Sequence, residues 1–172
     1  NNIQINSEFL IKKSNDIFSK NINKNWHTKQ FGDLILESAN GCTGAPNNTE
    51  IGIKRLGIET ITKSKDDIID LEYCKYFNAS ESDIRKYSVK KDDLFVCRQN
   101  GNKHFVGKFA IYKNNIEPLI YSDSLIRFRV DTKQVLPEYV VSFMNSSSTR
   151  KQIDPFCKTA VGNYSINATN LK

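Results

Sequence analysis

From Gln30 to Val130 the chain runs through six short β-prone stretches, QFGDLILES, IGIKRLGI, DIIDLEY, DLFVCR, FVGKFAIY and SLIRFRV, with turn-forming residues between them. Stretches this short, rich in branched and aromatic side chains and bounded by Gly, Asn, Asp and Ser, predict strands and therefore a mostly β domain. The last is the most informative, because side chains alternate faces along a strand. Ile126, Phe128 and Val130 then share one face and Arg127 and Arg129 the other, which implies a sheet with one basic face.

Helical signals surround these strands. Ser80 and Asp83 form a plausible N-terminal cap for a short helix ending at Tyr87. Pro137 suits the first turn of a helix reaching about Ser146, with Val140, Val141, Phe143 and Met144 as its buried face. A further turn from Thr149 to Ile153 should stop at Pro155. Near the N-terminus, residues 7–22 place Leu10, Ile11, Ile17, Phe18 and Ile22 on one helical face, with a boundary near residue 24. The expected fold is α+β: an N-terminal helix within residues 1–24, then a mostly β domain with a twisted sheet and short helices over residues 25–172. A chain of 172 residues fits one such domain. Asn1, standing where an initiator methionine would, is expected of a piece cut from a longer polypeptide.

Lys and Arg outnumber Asp and Glu by 25 to 19, a net charge of +6 that suits a polyanionic partner without defining one. No apolar run approaches the roughly 20 residues that span a bilayer, and no charged-then-apolar leader opens the chain, so a cytoplasmic protein without membrane contact is expected. The four cysteines, Cys42, Cys74, Cys97 and Cys157, are too scattered for the close pairs of zinc or redox motifs and read as free thiols.

Catalytic machinery does not stand out. His27 and His104 are the only histidines and lack motif partners. Asp154-Pro155-Phe156-Cys157 resembles the [DN]-P-P-[YF] loop of adenine methyltransferases, but lacks the second proline and the final aromatic ring, and reads as a helix stop. Asp70, Glu72 and Lys75 are the nearest approach to a nuclease metal site. On a strand, however, Lys75 would face away from the carboxylates.

What recurs instead is polar and basic residues where strands pass into loops. Lys54 and Arg55 lie in one such place. Arg98, Gln99, Asn100, Asn102, Lys103 and His104 fill another, and no acidic residue occurs between Arg98 and Lys113. Arg can bond guanine bidentately and Gln or Asn can do so with adenine, while Lys103, Lys108 and Lys113 add charge for phosphates.

The order of landmarks resembles the target-recognition domains of type I restriction-modification specificity subunits and related fused enzymes. Trp26 and Gln30-Phe31-Gly32-Asp33-Leu34 are similar to that family's opening tryptophan and "lGdl" strand, and Gly41 to Pro46 resembles its G-x-T-P loop, with Thr43 at the threonine. Ile53 to Ile58 resembles "I-R-x-x-D-I". Tyr87 to Arg98 resembles "y-x-l-k-x-G-D-l-l-f-x-R", with Asp92 in place of glycine. Val106-Gly107-Lys108 resembles "lvGk". Leu125 to Arg129, Pro137-Glu138-Tyr139, Met144-Asn145-Ser146 and Arg150 follow the family's "l-I-R-l-R … P-e-Y-l … l-N-S … r", and Gly162 to Asn167 with Leu171-Lys172 its closing segment.

The resemblance implies sequence-specific recognition of double-stranded DNA, one half-site at a time, by a chain without catalysis of its own. It implies partner methyltransferase and restriction subunits, with S-adenosylmethionine held by the methyltransferase. The candidate DNA-binding residues are Thr43, Lys54, Arg55, Arg98, Gln99, Asn100, Asn102, Lys103, His104, Lys108, Asn163, Tyr164 and Asn167. Arg98, Gln99 and Asn100 are assigned to bases, and Lys54, Lys103 and Lys108 to phosphates. The rival classes are a nuclease or methyltransferase fragment with an unrecognised site, and an interaction scaffold without DNA contact.

Overall fold

The computed structural model of the chain describes residues 4–5, 29–47, 49–160 and 162–172. The helix expected over residues 7–22 lies outside them. The fold is α+β, as expected. A two-stranded ribbon pairs β1 (Gln4–Ile5) with β2 (Lys29–Gln30). The central sheet is antiparallel in the order β3 (Ile35–Asn40), β10 (Leu125–Val130), β6 (Leu94–Cys97), β8 (Phe109–Ile111). A mixed sheet orders β5 (Lys75–Phe77), β4 (Ile53–Leu56), β9 (Leu119–Tyr121), with β4 and β9 parallel. A third sheet orders β11 (Lys158–Ala160), β12 (Asn163–Ser165), β7 (Gln99–Asn100).

Alternation along the central strands sorts their side chains into two cores. Leu94 and Val96, Phe109 and Ile111, and Ile126, Phe128 and Val130 join one core. Phe95, Ala110 and Leu125 join the other. Helices α3 (Pro137–Asn145) and α4 (Ser147–Ile153) cover the first core with Val140, Val141, Phe143, Met144 and Ile153. The mixed sheet covers the second with Leu56, Leu119 and Tyr121, and α1 (Glu59–Thr62) adds Ile61. A sheet buried on both faces explains why five of the six side chains of β10, one of its two interior strands, are buried. Near the centre of the first core, Phe31 meets the rings of Phe109 and Phe128 edge-on at 5.9 and 5.4 Å.

Helix α2 (Glu81–Lys86) starts as expected, with Ser80 Oγ accepting from the Asp83 N–H and the Asp83 carboxylate accepting from the Ser80 N–H. Helix α5 (Ala168–Leu171) follows β12, its Leu171 buried in the first core. Two β-prone stretches depart from expectation. In QFGDLILES the Asp33 carboxylate accepts from the Gln30 N–H, closing Phe31–Leu34 into a 3-10 turn before β3 begins. In DIIDLEY, Ile68 makes one bridge to Ile111, and Asp70 then accepts from the Glu72 N–H to cap a 3-10 turn at Leu71–Tyr73. Asp70, Glu72 and Lys75 therefore share no strand.

The expected basic face is also corrected. Arg127 and Arg129 do share a face of β10, but Arg127 is only 1% exposed. Its Nη1 donates to the Ser88 carbonyl at 2.7 Å and its Nη2 pairs with Glu37. The guanidinium of Arg127 also lies 5.3 Å from the centre of the Tyr121 ring. Arg129 donates from Nη1 to Glu37 at 2.7 Å and from Nε and Nη2 to Asp93 at 2.7 and 3.2 Å. Two cations meet two carboxylates, so this is a charge-balanced network, buried at Arg127 and Asp93 and open to solvent at Glu37.

The cysteines are free thiols, as expected. Burial pushes the Cys97 thiol up to about 12 and that of Cys74 up to about 11.

Candidate nucleic-acid interface

Strand register gathers most of the candidate residues at one end of the central sheet. Asn40 at the end of β3 pairs with Ile126 near the start of β10, and Leu125 pairs with Cys97 at the end of β6. Val96 of β6 pairs with Phe109 at the start of β8. Loops 41–46, 122–124 and 98–108 therefore leave the sheet at a common end. Leu56 at the end of β4 pairs with Tyr121, bringing Lys54 to within two residues of it.

Backbone hydrogen bonds join these loops into a row. The Cys42 N–H donates to Tyr121 O and the Asp123 N–H to Cys42 O, both at 2.9 Å. The Arg98 N–H donates to Ser124 O at 2.8 Å, and the Ile166 N–H donates to Arg98 O at 2.9 Å. Two arginines brace the row from beneath. Arg98 Nη1 donates to Asp123 O at 2.8 Å. Arg55, only 6% exposed, donates from Nη1 to Gly44 O at 2.9 Å and stacks 4.4 Å from the centre of the Phe77 ring. Thr43 stands exposed on the loop that Arg55 holds.

The third sheet divides the other candidates by face. Ser165 pairs with Gln99 and Lys158, and Asn163 pairs with Ala160, so Gln99, Asn163, Ser165 and Lys158 belong to one face. Asn100 and Tyr164, a register pair, belong to the opposite face. That face looks inward: Tyr164 packs on the first core, and the Asn100 amide bonds Cys97 and accepts from the Asn102 N–H at 2.8 Å. Asn102 in turn caps the 3-10 turn at Lys103–Phe105 by accepting from the His104 N–H. Asn167 caps α5 in the same manner, accepting from the Asn170 N–H at 2.9 Å.

Cations on this end differ in how far they are committed. Lys103 and His104 are exposed, and Lys54 is half-buried. Lys108 donates to Ile61 O at 3.2 Å and lies 3.9 Å from Asp67. Lys113, counted among the phosphate cations by sequence, instead follows the far end of β8, where it pairs with Asp92 at 2.7 Å and with Glu138; these bonds hold it cationic above the ordinary lysine range.

Two residues known from the sequence only as letters of a family pattern prove to organise the site. Arg150 donates from Nη1 to Val106 O at 2.7 Å and from Nη2 to His104 O and Asp154, tying the 103–107 turn to α4. Asn145 lays its side-chain amide along the open edge of β8, accepting from the Phe109 N–H at 2.8 Å and donating to Phe109 O at 2.9 Å. Asp154-Pro155-Phe156 is a 3-10 turn following α4. Among the described residues no three His, Cys, Asp or Glu side chains converge as metal ligands, and no helix is long and apolar enough to cross a membrane.

No family model matches the chain. It is 32% identical over 143 residues, 83% of its length, to the type I restriction enzyme EcoKI specificity subunit of Escherichia coli K12, covering 30% of that protein. It is 31% identical over 149 residues, 86% of its length, to the type I restriction enzyme StySPI specificity subunit of Salmonella potsdam, covering 31%. The chain thus spans about a third of the length of the curated relatives it matches. Over that stretch the chain is similar to type I restriction enzyme specificity subunits.

Proposed function

We propose that this chain recognises a base sequence in double-stranded DNA through the loop end of its central sheet. The observation that carries this is the register of the third sheet, which aligns Gln99, Asn163, Ser165 and Lys158 on the face opposite the one that packs on the first core, with Asn163 and Lys158 exposed and Gln99 and Ser165 half-buried. Amides and hydroxyls on a narrow β ribbon have the donors and acceptors that base edges present, and such a ribbon fits the major groove. The buried Arg55 and the half-buried Arg98 hold the loops in place, while Thr43, Lys54, Lys103, His104 and Lys108 approach the phosphates and sugars. Asn100, Asn102, Tyr164 and Asn167 fix the shape of the ribbon and its turns.

In this reading the chain contributes recognition and no catalysis. Methyl transfer and cleavage belong to methyltransferase and restriction subunits that dock elsewhere, and S-adenosylmethionine belongs to the methyltransferase. The test is direct titration. The chain is titrated with a duplex carrying the motif found methylated in cells that hold the intact system, and with a scrambled duplex of the same composition. Tighter binding to the motif is expected, with salt weakening both. Equal affinity for the two duplexes would refute the reading.

A further inference from the structure

A cleft of about 450 Å³ lies between the Lys103–Phe105 turn and α4, lined by Lys103, His104, Ser147, Arg150, Lys151 and Asp154 with Asn145 at its wall. Its cationic side chains are Lys103, Arg150 and Lys151, against one carboxylate, Asp154, which Arg150 engages at 3.1 Å. Lys103 and Lys151 are exposed, and neither takes part in an ion pair among the described residues. The neutralised arginines of β10 and the doubly paired Lys113 are the contrast.

The walls of this cleft are fixed. Arg150 is anchored by Val106 O, His104 O and Asp154, and Asn145 by both polar groups of the Phe109 backbone. Concave cationic sites between low-dielectric walls focus the local potential, and a guanidinium already held in place loses little freedom when an anion arrives. The turn that carries Lys103 follows β7 after two intervening residues, so the cleft flanks the ribbon that bears Gln99 and Asn163.

We infer that this cleft holds a backbone phosphodiester of the duplex beside the ribbon. The inference rests on the DNA reading above. Lys103 and Lys151 supply the mobile charge, and Arg150 is a positioning residue that shapes the pocket.

The test uses the Lys103→Ala/Lys151→Ala double variant of the full chain, with the motif and scrambled duplexes titrated across salt. Both affinities should fall by the same factor, leaving their ratio unchanged, and the slope of log affinity against log salt should become shallower by about one unit. Suppose the wild type discriminates and is salt-sensitive but the variant keeps the wild-type slope. The DNA reading then stands and the cleft assignment falls. A changed ratio would make these lysines base contacts and would also overturn it. If the variant loses only thermal stabilisation by inorganic phosphate and keeps its DNA slope, the cleft is a free-anion site and the assignment to the duplex fails. A wild type that binds no DNA removes the reading and the inference together.

Discussion

Replacing Asp93 with alanine is expected to lower stability by about 3–5 kcal/mol, the usual result of removing one partner from a buried ion pair. Asp93 is 2% exposed and accepts from Arg129 Nε and Nη2 and from the Lys90 N–H. Alanine leaves Arg129 with Glu37 and the Ser88 carbonyl, and leaves the Lys90 N–H without its acceptor. Because Arg129 keeps some exposure and one carboxylate, the loss should fall toward the lower end of that range. For a domain of this size it corresponds to a drop in melting temperature on the order of 10 °C. Glu138→Ala removes an exposed partner of Lys113 and should cost at most about 1 kcal/mol. Urea unfolding of both variants checks the pair. A loss below 1 kcal/mol for Asp93→Ala would mean the network is not a structural element.

Gly41→Ala is the second large effect. A Cβ at this position would sit 2.3 Å from Tyr121 O and 2.4 Å from Ser122 O, both backbone atoms that cannot swing aside. Loop 41–46 must then separate from the 122–124 turn, straining the hydrogen bonds between Cys42 and Tyr121 and between Asp123 and Cys42. Overpacking of this kind costs about 1–3 kcal/mol or more. Here it also disturbs the row of loops, so DNA affinity should drop alongside stability. Gly57→Ala is the control, since nothing lies within 4 Å of its Cβ and its φ is ordinary. Its stability should stay within about 1 kcal/mol of wild type. Thermal melting and duplex titration of the two variants separate the outcomes, and a Gly41→Ala protein that melts and binds like wild type would contradict the packing described.

Local signals in the sequence are legible. The cap at Ser80, the proline at the start of α3 and the apolar side of β10 each depend on residues a few positions apart, and each is present in the structure. What failed was whatever depends on pairing across the chain. Arg127 and Arg129 look like a basic face because their counter-charges are distant: Glu37 is 90 residues from Arg127, and Asp93 is 36 from Arg129. Only the register of β3 against β10 brings Glu37 beside them. Asn145 and Arg150 carried no readable role for the same reason, since their partners, Phe109 and Val106, are 36 and 44 residues away.

The candidate site was legible as composition but not as geometry. Arg98-Gln99-Asn100 contains the right functional groups, yet strand alternation sends Gln99 and Asn100 to opposite faces. Lys158 and Ser165 entered the site only because β11 and β12 pair beside β7. Arg55 shows the converse: it stands among basic residues in sequence, but the approach of Phe77 and the Gly44 carbonyl places it beneath its loop.

The central claim is that the outward face of the β11–β12–β7 sheet discriminates between base sequences. Its sharpest measurement is the ratio of affinities for the motif and scrambled duplexes in Gln99→Ala beside wild type, at fixed salt. Removal of an amide that contacts a base should weaken binding to the motif by about 1–3 kcal/mol while leaving the scrambled duplex unaffected, so the ratio contracts. An unchanged ratio, with both affinities kept or both reduced alike, would contradict the claim.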